Sequence, residues 1–157
     1  MVEMRRMFID EKEFVELSNI IIDNLDKSPF IRENPIVLGL LNGGKNLADY
    51  ISDALKLPIR YMSIHSREGD PGNLGISGTK GTVDMSISVD LLKSDKPFLI
   101  VDDIYDSGLT MTTIQRLFPL SRSCVLIHKS PDRYSIKTDF YGKFVPPDVW
   151  IDFFWEK

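Results

Sequence analysis

The chain has few of the residues on which extracellular and zinc-binding proteins depend. It contains one cysteine, Cys124, and two histidines among 157 residues. A single thiol excludes an internal disulfide and a multi-thiolate zinc site, which favours a reducing compartment. The apolar neighbours of Cys124 predict a buried, unreactive thiol. The positions of His65 and His128 indicate neither a metal pair nor a nucleophile relay.

Surplus basic charge and long apolar segments are also missing. The 19 basic and 23 acidic side chains give a net charge of -4. The chain therefore lacks the excess of basic charge that would indicate a nucleic-acid partner. No apolar run approaches the roughly 20 residues that span a bilayer. Residues 1–10 lack the continuous apolar region of a secretory signal. We therefore expect a cytoplasmic protein without a membrane partner.

Apolar residues are nevertheless plentiful enough for a folded core. They make up 43% of the chain and include nine Phe and two Trp, which excludes a disordered protein. At about 150 residues per domain, this length predicts one domain over residues 1–157.

Helical and strand patterns alternate along the chain. A helix is predicted over residues 11–25, where apolar side chains recur at helical spacing after Asp10, a suitable N-cap. Short apolar runs predict buried strands at residues 36–41, 59–64, 98–101 and 123–128. Helical patterns follow the first and third runs, so we predict an α/β fold whose mostly parallel sheet is flanked by helices. Ligands bind such sheets at the carboxyl ends of the strands.

A long polar segment interrupts this alternation. Residues 65–82 contain five glycines and few apolar side chains. Because such stretches are uncommon in compact domains unless they are functional or disordered, we predict a mobile lid there.

Two adjacent carboxylates, Asp102 and Asp103, follow the strongest predicted strand. The next residues lead through Ser107 and Gly108 into a predicted helix. A short loop that opens a helix aims backbone N–H groups at an anion. Carboxylate oxygens accept hydrogen bonds from sugar hydroxyls or bind Mg²⁺. The segment therefore predicts a phosphate cradle beside a diol or metal site.

This segment carries a family resemblance. The run LIVDDIYDSGLT at residues 99–110 resembles the phosphoribosyl-pyrophosphate (PRPP) signature of type I phosphoribosyltransferases. Residues 41–44 are similar in position to the family's pyrophosphate loop, and residues 65–82 to its flexible catalytic loop. The segments at residues 128–131 and 147–156 are similar to parts of bacterial xanthine-guanine phosphoribosyltransferases.

The resemblance implies the type I phosphoribosyltransferase fold, with a small hood formed by the C-terminal segment, residues 129–157. It implies transfer of the phosphoribosyl group of PRPP to a 6-oxopurine, with Mg²⁺ as the cofactor, by a homodimer or homotetramer. Asp106 would be the catalytic base and Asp103 would lie nearest the metal. The implied base-binding residues are Lys129, Trp150 and Ile151. The implied PRPP-binding residues are Asn42, Gly43, Gly44, Asp102, Asp103, Ile104, Tyr105, Asp106, Ser107, Gly108, Leu109 and Thr110.

One departure from the family pattern leaves alternatives open. Asn42 stands where the xanthine-guanine enzymes usually have arginine, and Lys45 is the nearest cation that follows. We interpret this as weaker PRPP binding, with the N–H groups of Gly43 and Gly44 retained. One alternative is a regulator on the same fold that binds PRPP or a nucleotide without turnover. Another is a phospho-receiver domain, in which the continuation after Asp103 would have no role.

The aromatic tail also has a simpler interpretation. Its side chains could close the core or form a subunit interface instead of binding a base. These residues are Trp150, Phe153, Phe154 and Trp155.

Overall fold

The apolar runs of the sequence form a sheet in the computed structural model, which describes residues 5–68, 81–86 and 88–156. The described strands are β1 (Arg5–Ile9), β2 (Ile36–Leu41), β3 (Ile59–Glu68), β4 (Gly81–Ser86), β5 (Phe98–Tyr105), β6 (Arg122–Lys129), β7 (Phe140–Val145) and β8 (Val149–Phe153). The described α-helices are α1 (Glu11–Lys27), α2 (Lys45–Leu55), α3 (Val89–Leu92) and α4 (Leu109–Leu117). Short 3₁₀ turns occur at Pro29–Glu33, Arg133–Ser135 and Phe154–Glu156.

Six of these strands form the main sheet, in the order β4-β3-β2-β5-β6-β7. Each neighbouring pair is parallel except β3 and β4, which are antiparallel. The predicted α/β fold with a mostly parallel sheet is therefore confirmed. β2 and β5 are adjacent at the centre, with Gly39 opposite Val101. Their carboxyl ends bring residues 42–44 beside residues 102–103, where parallel sheets bind ligands.

Helices cover the sheet on both sides because neighbouring strand residues point to opposite faces. Leu99 and Val101 of β5 pack in the cluster that includes α1 and α2, whereas Phe98 and Ile100 pack in the cluster that includes α4. Each fully buried Leu or Ile side chain stabilises the fold by roughly 1.5–3 kcal/mol relative to an exposed one. Cys124 is also fully buried, as predicted, and its burial raises the pKa of its thiol.

The predicted start of α1 is confirmed in detail. The Asp10 carboxylate accepts a hydrogen bond of 2.8 Å from the Glu13 N–H. Such N-caps are worth about 1 kcal/mol. The side chains of Phe14, Leu17 and Leu25 are buried, as their helical spacing indicated.

A separate two-stranded parallel sheet joins the ends of the described chain. β1 pairs with β8, which places Arg6 opposite Trp150 and Phe8 opposite Asp152. We call this sheet the hood. The C-terminal segment, to which the hood was assigned, supplies β8, and the structure adds β1 as the second strand. β1 was missed because Ile9 is its one fully buried residue, so it lacks a local apolar pattern.

Two further differences from prediction concern strands. β7 was not predicted, because four of its six residues, including Gly142, are only partly buried. In the segment predicted as a lid, His65–Glu68 continues β3 and residues 81–82 begin β4, whereas residues 69–80 lie outside the described residues. No helix in the described ranges is long and apolar enough to cross a bilayer.

Candidate active site

Asp102 and Asp103 lie within β5, which continues four residues beyond its predicted end. The Asp103 N–H donates to Oδ1 of Asp102 at 2.8 Å, and the Ile104 N–H donates to Oδ1 of Asp103 at 2.8 Å. These bonds fix the orientation of both carboxylates. Burial and the neighbouring charge of Asp103 raise the pKa of Asp102 well above its ordinary value. The site therefore contains two acidic groups that interact strongly.

The turn after β2 presses against these carboxylates. A methyl group added at Gly43 would lie 2.5 Å from Oδ2 of Asp103, and one added at Gly44 would collide with the Val101 carbonyl oxygen. A side chain at position 43 would therefore displace the Asp103 carboxylate or the turn, whereas one at position 44 would displace backbone. The peptide bond between Leu41 and Asn42 in this turn is cis.

The hydrogen bonds of this turn change one expectation. The Gly44 N–H donates to the Leu40 carbonyl at 2.8 Å. It is therefore not available to an anion in this conformation, contrary to the prediction that Gly44 would offer it. Lys45 does not replace the missing arginine, because its Nζ atom lies 2.7 Å from Asp49 Oδ2 and 5.6 Å from the centre of the Tyr61 ring.

A loop and the first turn of α4 enclose a cavity of about 150 Å³. Gly108, with φ of 85°, precedes α4 in a left-handed conformation, and the Tyr105 hydroxyl occupies the space of a side chain there. Ser107 Oγ accepts a 3.3 Å hydrogen bond from the Leu109 N–H. The cavity is lined by Asp102, Ile104, Tyr105, Asp106, Ser107, Gly108, Leu109, Thr110 and Met111. It thus combines the positive end of a helix with hydroxyl groups, a combination that suits a phosphate.

Three of the predicted catalytic and base-binding residues lie together beside this cavity. Lys129 Nζ is 3.7 Å from Asp106 Oδ2, and 5.9 Å from the centre of the Trp150 ring. The Lys129 side chain is 10% exposed, whereas that of Asp106 is 70% exposed. A nearly buried cation therefore lies between an accessible carboxylate and a half-exposed indole, although these residues come from three separate segments of the chain.

Ile151 differs from its neighbour in the hood. Its side chain is 4% exposed and packs in the core, whereas Trp150 is 47% exposed. Only the backbone of Ile151 can therefore face a ligand beside Trp150. The rest of the aromatic tail follows the simpler interpretation: Phe153 is buried, and Phe154 and Trp155 pack against the core.

Comparison with known proteins decides the family. Residues 8–155 match the model of the phosphoribosyl transferase domain. The chain belongs to the phosphoribosyltransferase family. It is 27% identical over 162 residues to a hypoxanthine-guanine phosphoribosyltransferase of Lactococcus lactis subsp. lactis (strain IL1403), over 96% of this chain and 82% of the relative.

Two solved structures share the fold of this phosphoribosyltransferase. A purine phosphoribosyltransferase from Pyrococcus horikoshii Ot3 has a TM-score of 0.72 at 20% identity, over 97% of this chain and 95% of the other. A hypothetical protein from Neisseria gonorrhoeae with bound ppGpp has a TM-score of 0.77 at 17% identity, over 100% and 92% of the two chains. At these identities the likeness concerns the fold alone.

The structure of this phosphoribosyltransferase adds residues that sequence reasoning missed. Glu156 has a raised pKa, because of its burial first and the charge of Asp103 second. A second cavity, of about 320 Å³, is lined by Arg6, Phe8, Asp152, Phe153 and Glu156. The resemblance of the tail at residues 147–156 could have indicated Glu156. No local pattern could have indicated Arg6, because its place in the hood depends on pairing between β1 and β8.

His128 has a structural role in this phosphoribosyltransferase. Its ring is buried and stacks on Tyr105 with 4.3 Å between the ring centres, and its Nε2 accepts a 3.0 Å bond from the Lys137 N–H. Burial lowers the pKa of His128. These contacts make His128 a packing residue. In the described part of the chain, no group of three His, Cys, Asp or Glu side chains could hold a metal by itself.

Proposed function

We propose that this phosphoribosyltransferase transfers the 5-phosphoribosyl group of PRPP to a 6-oxopurine, and so yields a nucleoside 5′-monophosphate and pyrophosphate in purine salvage. The observation that carries the proposal is the meeting of Asp106, Lys129 and Trp150 beside the phosphate-sized cavity. An acid–base group, a hydrogen-bond donor and a stacking surface are what a purine nucleophile requires.

PRPP would bind along the carboxyl ends of β2 and β5. Its 5′-phosphate would accept hydrogen bonds from the N–H groups and hydroxyls of residues 106–110, at the start of α4. Its ribose hydroxyls would donate to Asp102 and Asp103, whose orientation is fixed by backbone N–H groups. The pyrophosphate would lie at the turn after β2, with Asn42 and Gly43 as the candidate donors.

The residues at this edge also fit a Mg²⁺ ion. Mg²⁺ in phosphate-binding sites is usually held by one or two carboxylates together with substrate oxygens and water. Asp103 meets this requirement, because its carboxylate lies near the carboxyl end of β5, against the turn proposed to bind the pyrophosphate. When bound, the metal would neutralise charge on the leaving pyrophosphate. Asp103 would hold it, with Asp102 beside it.

The base would bind between the cavity and the hood. Lys129 would donate to O6 of the purine, Trp150 would stack on its ring, and the Ile151 backbone would face its 2-position. Asp106 would accept a proton from the base at N7 as the bond to C1 of the ribose forms. Displacement at such an anomeric carbon passes through an oxocarbenium-like state, so water must be excluded while the pyrophosphate leaves.

A regulator that binds a nucleotide without turnover is the second candidate. It is favoured by Asn42, which lacks the cationic charge of the arginine usual in the xanthine-guanine enzymes, and by the fold shared with the Neisseria gonorrhoeae protein with bound ppGpp. Lys129 and Asp106 favour catalysis instead, because a regulator needs no proton acceptor beside the base. The cytoplasmic location and the homodimer or homotetramer stay predictions. Light scattering after gel filtration tests the oligomeric state.

One experiment separates these candidates. The protein is incubated with PRPP and Mg²⁺ and, in parallel, with hypoxanthine, guanine, xanthine, adenine or orotate, while calorimetry measures PRPP binding. We expect a 6-oxopurine monophosphate to form. PRPP binding without product from any base would support the regulator, and absence of both PRPP binding and product would refute the proposed use of residues 99–110.

A further inference from the structure

We propose that Arg6, acting through Asp152, is a positioning residue that fixes the plane of the Trp150 indole for the incoming base. This inference rests on the proposed function. It assigns β1 a part in the base site, in addition to its role in closing the hood.

The three side chains form one hydrogen-bonded unit on the hood. The Arg6 guanidinium donates to both Asp152 oxygens, from Nε to Oδ2 at 3.0 Å and from Nη2 to Oδ1 at 3.1 Å. Nε1 of Trp150 donates to the same Oδ1 at 3.1 Å. A planar, two-point pairing with a guanidinium restricts a carboxylate far more than a single contact does. Asp152 is thereby held where it can orient the indole.

Trp150 needs such a restraint because packing alone does not supply one. Its side chain is 47% exposed, and the torsion that turns an aromatic ring has a broad energy minimum. An indole already held in one orientation loses less freedom when a base stacks on it. The same orientation sets the distance of 5.9 Å between the ring centre and Lys129 Nζ. A continuous series of contacts thus links Arg6 of β1 to Lys129 and Asp106, through Asp152 and Trp150.

The ionic state of Asp152 suits this role. The Arg6 hydrogen bond, the largest influence, lowers the pKa of Asp152, and the Trp150 N–H acts in the same direction. Asp152 is therefore ionised at neutral pH and accepts from both donors.

The hood contains a matched control for this unit. Arg5 donates to Asp148 in the same two-point manner, at 3.2 and 3.0 Å. The side chains of Arg5 and Asp148 are 62% and 47% exposed, and those of Arg6 and Asp152 are 69% and 35% exposed. Among the described contacts, neither Arg5 nor Asp148 hydrogen-bonds Trp150. Loss of this pair should weaken the hood to a similar degree without freeing the indole.

The first test measures the motion of the indole without any substrate. A Trp155→Phe background leaves Trp150 as the sole tryptophan of the chain. Time-resolved fluorescence anisotropy then compares Arg6→Ala and Asp152→Ala with Arg5→Ala and Asp148→Ala. We expect faster local rotation of Trp150 in the first pair only. Equal rotation in all variants would overturn the proposal, whether or not the protein is an enzyme.

The second test measures kinetics with the preferred base. Exposed ion pairs contribute little each, so we expect Arg6→Ala and Asp152→Ala to raise KM for the base only about three- to fivefold, with KM for PRPP unchanged. Equal increases in the Arg5 and Asp148 variants would overturn the proposal, because hood stability would then explain the effect. An unchanged KM for the base would also overturn it. Failure of the wild-type protein to transfer any base would refute the proposed function, and the anisotropy result would still decide the positioning role.

Discussion

Gly43→Ala should greatly lower the catalytic activity while it leaves the fold intact. The added methyl group would lie 2.5 to 2.8 Å from the three terminal atoms of Asp103, and the shortest of these distances is about 0.9 Å less than ordinary van der Waals contact. Because all three carboxyl atoms are too close, a small rotation of the carboxylate does not relieve the overlap. Asp103 or the turn must therefore move by close to 1 Å.

A movement of this size has a large effect on catalysis. A displacement of 1 Å in a catalytic site can cost about 100-fold in rate, which equals about 2.7 kcal/mol of transition-state stabilisation. The carboxylate also loses its 2.8 Å bond from the Ile104 N–H if it swings away. We therefore expect kcat/KM for PRPP to fall about 100-fold in Gly43→Ala, and the Mg²⁺ concentration needed for half-maximal rate to rise.

Gly142→Ala provides the control for this prediction. Its methyl group would lie 2.7 Å from the Leu126 carbonyl oxygen and 3.0 Å from Leu17 Cβ, which are core contacts between β6, β7 and α1. This variant should lower Tm without a specific change in kcat/KM at temperatures where it is folded. If Gly43→Ala kept kcat/KM within about threefold of the wild-type value, or lost it only in step with Tm, the reasoning about Asp103 would be refuted.

Three other predictions concern single side chains. Asp106→Asn should lower kcat by about 100-fold or more while calorimetry finds nearly unchanged PRPP binding, and near-normal turnover would exclude Asp106 as the base. Lys129→Met should raise KM for the base about tenfold or more, because a charged donor is lost, and an unchanged KM would exclude contact with O6. His128 has a lowered pKa in the folded state, so the free energy of unfolding should fall as the pH drops below 6.5, where the unfolded chain binds the proton more readily. Urea denaturation should find a shallower fall in His128→Gln, and equal slopes would contradict a titrating His128.

The parts of the fold that were predictable are those with local patterns. β5 was recognisable because a fully apolar run meets two acids, and α1 because its buried residues recur at helical spacing after Asp10. The loop at residues 106–108 and the start of α4 were predictable for the same reason, since they are continuous in sequence. Each of these elements depends on residues within one continuous segment of the chain.

The remaining features depend on contacts between distant segments. β1 exists because β8 pairs with it, and Arg6 meets Asp152 only in that pairing. The internal bond from the Gly44 N–H to Leu40 was hidden because a glycine-rich turn is compatible with several backbone conformations. Local periodicity contains no information about such pairings.

The pairing of β1 with β8 sets an order of assembly during synthesis. Because Arg5 lies opposite Val149, β1 leaves the ribosome long before its partner strand, β8. The central strands and α2 can associate earlier, because their contacts close shorter loops. A nascent chain that stops before β8 would already carry the two carboxylates and the phosphate cradle, yet it would lack the hood. The proposed base site would therefore form only after β8 has been synthesised.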